Sequence, residues 1–467
     1  MPDKLLVRVA GQMQKRDGYT KDVQNGQYLD DRDYYAWRVS VTLRPTDDLE
    51  NYLVYDGYWQ DSNGGSNVLT DANPNFILAR LNNKFQPLAP TLTQAQIAQQ
   101  CYAVATMSGP SKKPQGINPI NGLGNCPNAK LQVTLIPGVA QALAEQQAIG
   151  PREIVGRATS NIGKDYFWGI TDIAQWDVTD NLSIKNIAAA RIYKQLAVDD
   201  LSSSGLPILT IGWPGNNQGW NNNQVQYTDE LQIFGKAIHD RLDWRIGGFL
   251  LLDHPLGYNT EVSDAVGAPT WDHFHEVQRS QALFAHGVYD LSDYVDGLSF
   301  TAGYRYTWDY DSLGELSTKP VDHVIYKNGV GTNCNIAIHD NNCFTQVDQH
   351  FSSFGWNLGL DYKVTPDTLV YVRSGNAYRP GGTNLAVPVE FNRFVPEHVT
   401  DVEIGVKTDY EMFGIHGRTN ADVYHTDYKA IQVSQVVTVP SAVPGQLPSA
   451  QQIETNAASA YLEGAEI

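Results

Sequence analysis

The chain has 467 residues, 33 basic side chains against 51 acidic ones and a formal charge of −18. That length allows two or three soluble domains or one large all-β unit, and the acidic balance argues against nucleic acid, whose phosphates require clustered Lys and Arg. Aromatic residues make up 10%, including 25 Tyr and 10 Trp, at a mean hydropathy of only −0.35. A transmembrane β-barrel combines these traits, because polar interior residues alternate with an apolar band edged by aromatic girdles. No apolar run is long enough for a membrane helix. The opening Met1-Pro2-Asp3-Lys4-Leu5 has neither the charged leader nor the apolar core of a secretion signal.

Taken in order, the chain alternates between short reversals and long connections. The reversals lie at Pro2-Asp3-Lys4-Leu5, Pro45 to Leu49, Val178 to Leu182, His239 to Leu242, Ser292 to Leu298, Thr365 to Leu369 and Glu411 to Gly414. At Thr365 to Leu369, Pro366 presets the turn dihedral and Asp367 can bond its own backbone, so a short reversal there has a physical cause. The connections run from Gln14 to Asp33, Asp61 to Asp165, Ala197 to Gln224, Asp253 to Arg279, Tyr310 to His350 and Pro380 to Glu397, and are rich in Gly, Asn, Pro and Asp. Within the second, Ala140 to Gln147 has a helical composition. Short turns at one end and long loops at the other mark an outer-membrane barrel, the short ones periplasmic and the long ones extracellular.

Between these connections lie roughly fourteen strand patterns, from Lys4–Met13 to a last one near Ile453–Ile467. Tyr35, Trp37, Val39, Val41 and Leu43 oppose Arg38, Ser40, Thr42 and Arg44. Leu242, Trp244 and Ile246 oppose Asp243 and Arg245, and Phe300, Ala302, Tyr304, Tyr306 and Trp308 oppose Thr301, Gly303, Arg305 and Thr307. The clearest pattern is Phe354, Trp356, Leu358, Leu360, Tyr362 and Val364 against Gly355, Asn357, Gly359, Asp361 and Lys363. It holds for roughly eleven residues, the length of a tilted strand that crosses a bilayer. The strand from Leu369 to Tyr378 reads in either register, which leaves the face of Arg373 open.

The run Tyr371 to Asn384, containing Ala377-Tyr378-Arg379-Pro380-Gly381-Gly382, is followed by Pro396-Glu397 and then Glu403-Ile404-Gly405-Val406-Lys407. With Thr228-Asp229-Glu230-Leu231-Gln232-Ile233-Phe234-Gly235 and Asp180 to Ile187, this order resembles the barrel of TonB-dependent outer-membrane receptors. Ala377 and Thr228 stand where the family usually has Gly and Ser. The resemblance implies an all-β fold: a large antiparallel transmembrane β-barrel, incomplete at roughly 14 of 22 strands. Residues 1–467 are then expected to be a partial barrel, with the signal peptide, the N-terminal plug domain and the C-terminal closing strands absent. The implied activity is TonB-dependent uptake of a scarce substrate across the outer membrane of a Gram-negative bacterium, a ferric siderophore being the commonest class. The implied partners are outer-membrane lipid, the TonB system through the missing plug, and a small molecule such as a metal chelate. The alternatives are a passive porin-type channel and a soluble glycan-binding β protein.

Catalytic signatures are missing, with no G-x-S-x-G, H-E-x-x-H, P-loop or dinucleotide-binding glycine pattern, so the expectation is no enzyme and no cofactor. Tyr378, Arg379 and Asn384 lie where a strand turns into a loop, and Arg grips anions in bidentate fashion. They are the candidates for a substrate vestibule, against the bland reading of a structural corner. Cys101 with Cys126 and Cys334 with Cys343 fall in loops read as extracellular and lack metal spacing, which makes them candidates for loop disulfides against free or cross-paired thiols. His273 and His275, beside Asp272 and Glu276, fit a solvated loop better than a metal site, and His416 and His425 read as ordinary barrel residues.

Overall fold

The computed structural model describes residues 4–70, 142–156, 161–200, 209–212, 220–265, 268–318, 344–384, 393–412, 414–439 and 449–467. Fourteen strands form one antiparallel ladder in chain order. They are β1 (Leu5–Arg16), β2 (Arg32–Leu43), β3 (Leu49–Ser62), β4 (Ile162–Thr179), β5 (Leu182–Asp200), β6 (Asn222–Ala237) and β7 (Leu242–Pro255). The series continues with β8 (Ala268–Asp290), β9 (Leu298–Thr318), β10 (Phe344–Thr365), β11 (Thr368–Arg379), β12 (Glu397–Met412), β13 (Ile415–Lys429) and β14 (Ser459–Glu466). Each strand pairs with the one before it and the one after it. Among the described residues β1 and β14 each pair on one side only.

Side-chain alternation divides this sheet into two faces. One face is apolar and exposed along its length, with Val9, Trp168, Trp176, Leu250, Leu283, Tyr304, Trp308, Leu358 and Ile404 all standing out from it. The other is polar. The register settles Arg373: Val370 and Val372 pair with Tyr362 and Leu360 on the apolar face, while Arg373 lies opposite Gly359 and reaches Asp361 at 3.4 Å. Close strand approach depends on glycines opposite aromatic rings. Gly57 faces Trp37 and Gly405 faces Tyr371, and a Cβ at either would sit 2.2 or 2.5 Å from the ring.

Among the described residues the short reversals between β2 and β3, β4 and β5, β6 and β7, β8 and β9, and β10 and β11 occur as expected at one end of the sheet, while Pro2, Asp3 and Phe413 of the other two lie outside the described residues. The β6–β7 turn holds Ile238, His239 and Asp240 at φ of 55°, 57° and 63°, and Asx-type bonds close others, as where Ser292 N–H donates to Asp290 at 2.9 Å. The opposite end departs from expectation. Among the described residues Asp253 to Arg279 is largely strand: β8 runs 23 residues, and a strand Asn259–Ala265 pairs with its first seven, Ala268 to Phe274. Likewise β9 and β10 stay paired as far as Leu316 and Phe344. Apolar residues in these extensions, such as Trp271, Phe274 and Val277 on β8, no longer recur with a period of two, so alternation disappears although the ladder persists. The expected strand Ile453–Ile467 is two pieces. Ser449–Asn456 forms a hairpin with Gln432–Val439 off the wall, and β14 begins only at Ser459. Asn456 makes the break, donating its amide to Ala430 O at 2.8 Å and Val395 O at 2.9 Å. The expected helix is present at 142–149.

Candidate vestibule and polar face

The polar face is built from rows of residues paired across strands. In one row Arg245 on β7 lies opposite His286 on β8, which lies opposite Gly303 on β9. In the next, Gly247 faces Phe284 and Phe284 faces Arg305. The Arg305 guanidinium lies 5.2 Å from the Phe249 ring and 5.8 Å from Phe284, and Arg245 lies 5.0 Å from Phe234. Such stacking fixes a cation without neutralising it. Among the described residues neither arginine has a carboxylate within ion-pair distance, and both line a cavity of about 710 Å³ with Glu230, Phe284, His286, Asn357 and Tyr378. The arrangement suits an anion with a flat or apolar body.

Elsewhere the polar face is internally compensated. Asp56, 5% exposed, takes Arg38 at 3.7 Å from the neighbouring β2 and Arg191 at 3.5 Å from β5, two strands away across Gly169 of β4. Tyr371 donates its hydroxyl to Glu403, while Arg373 and Lys407 lie 5.0 and 5.3 Å over its ring.

The three residues expected in the vestibule are brought to one end of the sheet but do different work. Tyr378 lines the cavity and donates its hydroxyl to Asp309 on β9. Arg379 is exposed and lies opposite Glu397 in the ladder. Asn384 is committed to architecture: it donates to Glu454 O and accepts from Glu454 N–H, both at 2.8 Å, which clamps the hairpin Ser449–Asn456. On β9, Asp311 is 9% exposed and lies near the carboxylates of Glu276 and Asp348.

A second cluster closes the outer end of β1 to β5. Thr20–Asp22, Tyr28–Leu29 and Glu153–Ile154 form a small sheet, and Asp30 accepts from Thr20 and Ser66 hydroxyls, each at 2.6 Å. Asp199 accepts from Asn161 at 3.2 Å, and burial pushes its carboxyl up to about 6, with Asp200 and Asp30 contributing. Sequence reading missed both buried carboxyl groups and the Arg305 stack. Each depends on the register between strands, which alternation within a strand does not carry.

His273 and His275 share a face on a strand instead of a loop. His273 contacts the Thr260 hydroxyl at 3.0 Å, and the Tyr258 ring meets both imidazoles edge-on. Among the described residues no group of three or more candidate ligands is placed to hold a metal. His425 is more than ordinary wall: it contacts Glu463 at 2.9 Å and Asp427 at 3.3 Å, pinning β14 to β13. Cys101, Cys126, Cys334 and Cys343 lie outside the described residues.

Residues 145–467 match the model of the TonB dependent receptor-like β-barrel. The chain belongs to the TonB-dependent receptor family. Its fold is similar to solved receptors of that family at identities that show the fold alone. The ferric yersiniabactin uptake receptor FyuA from Yersinia pestis superposes with a TM-score of 0.60 at 14% identity, over 99% of this chain and 53% of that one. The siderophore receptor PiuA from Acinetobacter baumannii gives 0.56 at 10%, over 99% and 57%. The ferric-catecholate import receptor Fiu from E. coli K12 gives 0.53 at 13%, over 100% and 58%. The chain thus spans little more than half the length of these receptors. In a TonB-dependent receptor barrel the apolar face meets lipid and the polar face lines the lumen, which makes the Arg245–Arg305 cavity lumenal.

Proposed function

We propose that this chain forms wall of an outer-membrane receptor, in a Gram-negative bacterium, that takes up a scarce ferric siderophore by TonB-driven transport. The observation that carries the reading is the lumenal arginine pair, set among aromatic rings on a wall of receptor type. Catecholate and carboxylate chelates of ferric iron commonly combine negative charge with flat or apolar parts, and two ring-stacked cations without an ion-pair partner among the described residues complement both. Tyr378 and Arg379 stand at the outer end, where an incoming chelate meets the wall first. In this reading a plug domain closes the lumen and makes the contact to TonB, and the wall supplies shape and charge. No catalytic step is required of any residue.

The test is uptake of radioactive ferric iron, presented on chelators of each class, by iron-limited cells whose own siderophore receptors are deleted and which carry the receptor containing this barrel. Uptake of at least one chelate, lost in cells without TonB and lowered about tenfold by Arg245→Ala with Arg305→Ala, is expected. Uptake that persists without TonB would indicate a passive channel instead, and no uptake of any ferric chelate would remove the siderophore assignment.

A further inference from the structure

The lipid-facing side of β4 to β8 carries charge where a barrel band should carry none. On β4, Trp168 and Trp176 stand out at 44% and 47% exposure, and Asp172 projects from the same face midway between them. Cross-strand pairing sets a row of residues on that face: Asp172, Ala188, Asp229, Leu250 and Gln281. The next row outward is Ile170, Ala190, Tyr227, Leu252 and Arg279. The two small residues of β5 leave a groove of about 670 Å³ between the aspartates. Asn51 donates to Asp172 at 2.7 Å and Asn186 to Asp229 at 2.6 Å, so both carboxylates are held in place but not neutralised. Arg279 lies 5.5 Å from the Tyr310 ring, and among the described residues neither Arg279 nor Asp229 has an ion-pair partner.

The pattern is self-complementary. Leu250, 55% exposed, and Leu252 occupy β7, with Asp229 one strand to one side and Arg279 one strand to the other. A twofold axis along the membrane normal through β7 exchanges those sides. It sets Arg279 of each copy against Asp229 of the other, and turns the Ala188–Ala190 groove toward the bulky Tyr304 and Trp308 on β9. Such an isologous interface closes with two copies. Ionised side chains facing lipid are costly when unpaired and are stabilised by an opposite charge in the same low-dielectric layer. We propose that this face is a docking surface for a second copy of the chain, joined by reciprocal Arg279–Asp229 pairs about Leu250.

The test uses the full chain in lipid vesicles under mild oxidation. Leu250→Cys, on the axis, is expected to give a disulfide-linked dimer well above the level of the unsubstituted chain. Val402→Cys, five strands further round the same apolar face, is expected to give none above that level. Adding Asp229→Arg or Arg279→Asp lowers the Leu250→Cys dimer by about tenfold, and adding both restores it. The milder Asp229→Asn and Arg279→Gln are expected to lower it as well, and serve if a reversed charge prevents insertion. Equal yields at 250 and 402, single changes without effect, or a double exchange that fails to restore the dimer would overturn the proposal. Capture of a different basic membrane protein in place of the second copy would overturn it too.

Discussion

Asp199 lies at the outer end of β5, where Asp200 and Asp30 crowd it and burial holds its carboxyl at about 6 against an ordinary 3.8. A folded value above the unfolded one means that the native state binds the proton more tightly. Its stabilisation is present below about pH 4 and is lost as pH rises through about 6. Protection from hydrogen exchange at 161–163 and 197–200, taken relative to the intrinsic base-catalysed rate at each pH, should therefore be greater at about pH 4.5 than at about pH 7.5. Asp199→Asn should remove most of that difference, and an unchanged difference would assign it to other groups. The environment of this residue was invisible to sequence reading, as was the bonding of Asn384 to Glu454, because both depend on partners distant in the chain. Asn384 is 70 positions from Glu454. The strand-end position of Tyr378 was legible in its motif, whereas its contact with Asp309 was not.

At the scale of the element, alternation located the membrane-crossing part of each strand and failed beyond it. Period two is imposed by two different solvents on the two faces. Where β8, β9 and β10 rise into water on both sides, that constraint vanishes and backbone pairing alone continues. Glycine placement supplies the finer fit. Gly405 admits the Tyr371 ring, which is 5% exposed and gives its hydroxyl to Glu403. Gly405→Val is expected to displace the ring and lower stability by about 1 to 3 kcal/mol, read as a shift in the urea midpoint in lipid vesicles. Gly11→Ala, where the added carbon meets only Ala36 O at 3.8 Å, should stay within about 0.5 kcal/mol. Equal effects at the two positions would show that ring packing over glycine does not hold these strands.

For the whole molecule, the ordered strand motifs and the split between short and long connections were enough to reach the receptor-barrel wall. Strand order followed because each short reversal joins neighbours. The lumenal arginine pair and the charged lipid-facing row were not legible, since both arise from diagonal and lateral neighbours on adjacent strands. The central claim is that one face of this sheet meets lipid and the other lines a lumen. The most direct measurement places a single fluorophore-labelled cysteine at each position from Phe354 to Lys363 of β10, in vesicles whose lipid chains carry a quencher. Strong quenching at the even positions and weak quenching at the odd ones is the expected result. Quenching without alternation, or a chain that does not enter the bilayer, would contradict the account.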